Sequence, residues 1–180
     1  MIDVKAAGFA SVLVASLRSP GALRAKPGVP QVLPIEARWC LAAKSEGAVP
    51  PVCITLEVAD EHKEQRLGLM HRPPLPARHG MWFDFSRKLP ISMWMLNTPS
   101  SLDMVFVDEQ VVVGIEKSVS FCRSVPCPSY FADRDHDGLP DLVEGVIELR
   151  SGEADRLGIE VGDQVVIERL DRVVADPMDR

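Results

Sequence analysis

Residues 133–144 read DRDHDGLPDLVE, a run of carboxylates at fixed spacing. Asp133, Asp135 and Asp137 stand at loop positions 1, 3 and 5, with Gly138 at position 6. Leu139 offers its carbonyl at position 7, Asp141 stands at 9 and Glu144 at 12. This is the ligand spacing of a calcium loop, in which six to eight hard oxygens are gathered around a sharp turn made by glycine. With 26 acidic residues in 180, chance alone places five carboxylates and the glycine in this pattern about once in a thousand such chains. Pro140 occupies position 8, and Pro126 and Pro128 upstream oppose an entering helix. The loop therefore resembles the helix-free D-x-D-x-D-G loops of extracellular calcium-binding repeats. The expected cofactor is Ca²⁺ in a structural role, and the rival reading is a solvated acidic insertion between two strands. Extracellular modules bind calcium at about 10⁻⁴–10⁻³ M, an affinity useful mainly outside the cytosol.

A second group is Arg66, Arg72, Asn97 and Asp103. Asp103 lies between Leu102 and Met104 in an apolar strand pattern. A buried carboxylate without a partner is very costly, and Arg66 or Arg72 is the natural bidentate partner. Asn97-Thr98-Pro99 reads as a turn, where Asn tolerates a left-handed backbone. Together these four could form a polar pocket for a small anionic or polyhydroxylated ligand. The same residues could equally be a structural ion pair and a turn. His62, His71 and His79 lie near the arginines in sequence, yet no nucleophile elbow, H-E-x-x-H or phosphate loop is present. No catalytic residue is assigned. A hydrolase-type enzyme using Asp103 with Arg66, Arg72 and Asn97 is the alternative to a binding module, and a purely structural domain is a third reading. Met70, Met81, Met93, Met95 and Met104 could offer thioethers to Cu(I), but their spacing is that of half-buried strands.

The four cysteines, Cys40, Cys53, Cys122 and Cys127, suit an oxidising compartment. If the chain reverses at Glu46-Gly47, Cys40 and Cys53 stand opposite each other and a cross-strand disulfide is within reach, although Pro50 and Pro51 disturb such a hairpin. Cys122 and Cys127 could close a small loop. A four-cysteine zinc site is the rival, without a C-x2-C pair to support it, and free buried thiols are the other. Residues 6–17, AAGFASVLVASL, have the length of a signal-peptide apolar region and are too short to span a membrane. Ala25 offers a cleavage point, which puts the mature start between Ser16 and Pro34, while Asp3 and Lys5 make a poor leader charge. The expected location is extracytoplasmic, periplasmic or secreted, with the cytoplasm as the alternative.

The elements that must position these groups are short. Residues 1–34 read as leader or linker, 35–170 as one domain and 171–180 as a frayed tail. Strands are expected at 52–60, 81–85, 91–96, 102–108, 111–119, 145–150 and 163–170. One short helix follows the N-cap candidate Asp60 and stops at Gly68; a second is expected in SGEADRLG, residues 151–158. The expected fold is mainly β (α+β), a compact antiparallel β-barrel-like or sandwich domain with two short helices. A net charge of −6 without a basic face argues against nucleic acid, and no apolar run approaches 18 residues. The expected partner is an unknown small molecule or protein, and the expected state a monomer or weak oligomer.

RLGLMHR (66–72), GMWFDF (80–85), SMWMLNTPSSLDMVFVD (92–108) and VIELRSGEADRLGIEVGDQV (146–165) follow one another in the order of a known pattern. Over about residues 52–170 the chain resembles the DUF192 family, a bacterial and archaeal domain of unassigned function. Leu96 stands where that family usually has Lys, and Ser101 where it usually has Pro. The resemblance implies a compact, mainly β domain, often behind a signal sequence or lipoprotein anchor. It implies no activity.

Overall fold

Every residue of strand β4 (Leu102–Asp108) is buried, so this strand has no solvent face. Its alternate side chains enter two separate cores. Leu102, Met104 and Phe106 join one, and Val105 and Val107 the other. The computed structural model describes residues 28–42 and 51–170. Residues 6–17, Ala25, the Glu46-Gly47 reversal and the tail 171–180 lie outside the described residues.

The other strands in chain order are β1 (Ile35–Cys40), β2 (Cys53–Ala59), β3 (His79–Pro90), β5 (Val111–Val119), β6 (Leu142–Arg150) and β7 (Ile167–Arg169). They form one sheet in the order β5-β4-β6-β3-β2-β1-β7. The domain is mainly β with two short helices. The sheet is open, and it is mixed, because β2 and β3 run parallel. A parallel pair needs a long crossover. Residues 60–78 supply it and carry α1 (His62–Leu67). This helix starts one residue later than expected: Glu64 accepts the Glu61 N–H, and Asp60 instead faces Arg169 at 3.5 Å. Gly68 ends it with φ +44°. The second helix, α2 (Glu153–Leu157), follows β6.

Two expected strands differ. Residues 91–96 make only isolated bridges, Met93 to Tyr130 and Leu96 to Cys122. The alternation there is real, with Met95 buried and Trp94 half-exposed, but a segment braced by a loop needs no ladder to achieve it. Residues 163–170 keep only the three-residue β7. The folded chain also begins before residue 35: the Gln31 side chain donates to the Glu64 and Gly68 carbonyls, and the Leu33 N–H donates to Glu57.

Cys40 and Cys53 are directly opposed on β1 and β2 and form a disulfide. Cys122 and Cys127 form the second, closing the loop that braces residues 95–97. Gly145 on β6 leaves room for an indole: a Cβ there would come within 2.0 Å of the Trp82 ring.

Asp103 joins three elements. It is fully buried, and its Oδ1 accepts the Ser118 N–H at 2.8 Å while Oδ2 accepts the Ala154 N–H at 2.9 Å. The expected arginine partner is replaced by backbone amides of β5 and α2. Glu153 anchors the same corner. Arg156 foremost, helped by the Arg78 N–H and Arg150, holds its buried carboxyl at about 2 against the upward pull of burial. Asp103→Ala leaves two N–H groups without an acceptor and is expected to cost about 2–5 kcal/mol in urea unfolding. Asp103→Asn keeps one acceptor and should cost less; equal losses would remove this account of Asp103.

Candidate ligand pocket

Helix α1, strand β3 and the irregular segment 91–98 enclose a cavity of about 490 Å³. That lies in the range of small-molecule sites, roughly 300–1,000 Å³. Its walls are largely apolar: Leu69 and Met70 follow the helix, Phe83 and Phe85 come from β3, and Ile91 and Met93 close the far side. Trp94, Ser92, His62 and Arg66 add a more polar set, all of them exposed or half-exposed.

One lining residue breaks the apolar pattern. Glu148 on β6 is 4 % exposed and lies between Met81 of β3 and Met104 of β4, its neighbours across the sheet. It has no hydrogen bond or ion pair among the described residues. Burial pushes its carboxyl up to about 8. At neutral pH the group is therefore mostly a neutral acid, able to donate one hydrogen bond.

The sequence-predicted pocket residues separate. Arg66 lines the cavity and makes no ion pair with any described residue. Arg72 is committed elsewhere, with Nη1 2.7 Å from Glu57. Glu57 also takes His79 at 2.9 Å and the Leu33 N–H. Burial raises the Glu57 carboxyl, but the hydrogen bonds from Arg72, His79 and Leu33 outweigh it and leave it below its ordinary value. Asn97 has φ +55°; its carbonyl accepts the His71 N–H and its own N–H donates to the Cys122 carbonyl. It is a turn residue, and its neighbour Thr98 lines the cavity instead. Asp103 shares the opposite sheet face with Val105 and Val107. The structure thus does not bring these four together. Glu148 escaped sequence reasoning although GVIELR carries a visible signal, a lone carboxylate in an otherwise apolar strand.

The methionines divide between core and cavity. Met81, Met95 and Met104 are buried in the core, and Met70 and Met93 line the cavity. His71 has φ +63° and its ring lies against Gly28.

In the acidic loop, Asp133 accepts the N–H groups of Asp137 and Gly138, both at 3.0 Å, and Asp137 accepts that of Leu139. Gly138 has φ +80°. Positions 1 to 7 therefore form a tight turn. Positions 9 and 12 face other partners: Asp141 takes the Arg134 N–H at 2.7 Å and its Nε at 3.1 Å, and Glu144 takes the Gln110 N–H at 3.0 Å. Among the described residues no three acidic, His or Cys side chains converge as a cation-binding group. In this conformation the residues do not fit a calcium ion.

The DUF192 family, described as uncharacterized ACR, matches residues 42–167. The chain belongs to the DUF192 family. Two solved structures are similar. One is a Sinorhizobium meliloti 1021 protein provisionally named a transcription regulator, with 29% identity and a TM-score of 0.59, covering 74% of this chain and 92% of that one. The other is a protein of unknown function from Novosphingobium aromaticivorans DSM 12444, with 25% identity and a TM-score of 0.55, covering 83% and 99%. No curated protein matches the chain. Among the described residues no helix is long and apolar enough to cross a membrane.

Glu148 makes stability depend on pH. In the unfolded chain it titrates near its ordinary 4.3 or so, and in the folded chain near 8. Between these values the unfolded chain holds fewer protons, so stability falls as pH rises and levels off above the folded value. The loss is of the order of 4–5 kcal/mol at most. The unfolding free energy of the parent, referred to Glu148→Gln, should fall by a few kcal/mol from pH 4.5 to 8. A difference that stays flat would mean that native Glu148 is ionised and solvated.

Proposed function

We propose that this DUF192 domain is an exported, non-catalytic binding module that holds a small, mainly apolar molecule in the cavity between α1, β3 and residues 91–98. The observation that carries this reading is a largely apolar cavity lined by a buried carboxyl, Glu148, that has no partner among the described residues. A carboxyl in such a place gains nothing from the fold and has its donor free for a guest. The hydrolase alternative requires Asp103, whose two oxygens serve the Ser118 and Ala154 amides on the other face of the sheet. The regulator name of the Sinorhizobium relative is not carried over, because a chain with 26 acidic residues against 20 basic ones suits a nucleic-acid backbone poorly.

Export is supported by the apolar run at 6–17 and by the two cystine pairs, which an oxidising compartment favours. Calcium at 133–144 is supported by the carboxylate spacing and the Gly138 turn. Binding would have to draw Asp141 from Arg134 and Glu144 from Gln110, so calcium is proposed as a ligand that reorganises the loop.

The neutral dye N-phenyl-1-naphthylamine should bind the purified protein saturably, and Met93→Trp, which fills the cavity, should weaken binding about tenfold or more. A Met93→Trp protein that unfolds like the parent and binds the dye as well would remove the cavity as the site. Protein recovered from cells should begin between Ser16 and Pro34, and should take up calcium with heat that Asp135→Ala abolishes. An intact Met1 would end the export reading, and no heat up to millimolar calcium would leave the loop a solvated insertion.

A further inference from the structure

Two polar groups without an ion-pair partner among the described residues bear on the cavity from different depths. Glu148 lies at its floor, 4 % exposed, with Met81 and Met104 beside it on the sheet. Arg66 is exposed at its mouth and makes no ion pair with any described residue. The other titratable lining residue is His62, one turn away from Arg66 on α1 and likewise exposed. The mouth is therefore basic on a chain whose net charge is −6, while the floor is an acid flanked by thioether side chains. A free amine or other cation entering this cavity would pass the arginine. An anion would stop at it. Between the two lie Phe83, Phe85 and Met93, which offer only apolar contact.

We infer that the ligand is an amphipathic organic anion. Its carboxylate or similar head rests on Arg66, its flat or extended apolar body packs on Phe83 and Phe85, and its inner end carries a hydrogen-bond acceptor for Glu148. The inference rests on the cavity being the binding site. Its chemistry follows from what each group can do. The guanidinium donates to an anionic head with charge assistance. The Glu148 carboxyl, raised to about 8 by burial, keeps its proton at pH 7 and donates it to a carbonyl or hydroxyl oxygen. An inner end without an acceptor leaves that donor unsatisfied, which is the larger penalty in an apolar site.

A matched series of naphthalenes tests this by calorimetry at pH 7 on the purified protein. 6-Acetyl-2-naphthoate has head and acceptor, 6-ethyl-2-naphthoate lacks the acceptor, and 2-acetylnaphthalene lacks the head. The first should bind about three- to tenfold tighter than either of the others. Arg66→Gln should erase its lead over 2-acetylnaphthalene alone, and Glu148→Leu its lead over 6-ethyl-2-naphthoate alone. Glu148→Gln keeps a donor of similar size and should retain part of the acetyl preference. A folded Gln variant with none of it would overturn the assignment of Glu148, whether or not the Leu variant folds. Equal affinities for all three compounds, displaced by Met93→Trp, would leave the cavity as the site and overturn the ligand class. Binding of none of them, and of no neutral dye, would overturn the cavity reading and this inference with it.

Discussion

A carboxylate inside a sheet covered on both faces must find charge or amide partners, or else give up its charge. Four of the buried carboxylates set the arrangement of this domain, three on the sheet and Glu153 on α2. Asp103 takes backbone amides from β5 and α2 and so fixes the end of the sheet where those elements meet. Glu57 takes Arg72, His79 and the Leu33 amide, which fastens the crossover and the incoming chain to β2. Glu153 takes Arg150, Arg156 and the Arg78 amide and ties α2 to the start of β3. Each of these three takes at least one partner from a segment distant in sequence, so each acts as a clamp between elements. Glu148 has no such partner and keeps its proton instead.

The strands and helices were largely legible because their signals are local. The apolar runs 102–108 and 111–119 mark β4 and β5, and Gly68 marks the end of α1. The parallel β2–β3 pair was not legible, since the choice of neighbour is made by the crossover and not by the strand residues. The run 91–96 shows why alternation misleads: Met93 and Met95 turn inward without a ladder because the 122–130 loop supplies the bridging bonds. The site was less legible still. A buried Asp calls for a partner, and Arg66 or Arg72 is the natural choice by charge, yet the sequence says nothing about which sheet face Asp103 occupies. Opposite Asp103 the register of β5 shifts by one residue, and the Ser118 N–H there donates to Asp103 Oδ1.

The acidic loop illustrates a different constraint. Asp135 and Asp137 are exposed to water, while the less exposed Asp141 has a cation beside it. Arg134 lies inside the loop, with Nε 3.1 Å from Asp141 and Nη1 3.4 Å from Asp108 at the end of β4. Lys88 on β3 meets the same Asp108 at 2.9 Å. The guanidinium thus does for Asp141 what a divalent cation would do, and it moors the loop to the sheet at the same time. Ion and arginine compete for one carboxylate, which places any calcium affinity of this loop below that of a loop whose position 9 is free.

The contrast between Glu148 and its three counterparts is what gives the cavity meaning. A buried acid held neutral costs stability as the pH rises above its ordinary titration range, and a Gln or Leu in the same row of β6 would avoid that cost. Its side chain makes no hydrogen bond or ion pair to any described residue, and β6 pairs with β3 and β4 in regular register at this position. What remains is a single donor lining a largely apolar space, which Arg66, without an ion pair to any described residue, also lines. A proton held in such a place is open to an acceptor from outside, and the proposed ligand, an acceptor carried on an apolar body, rests on that donor and on the apolar lining around it.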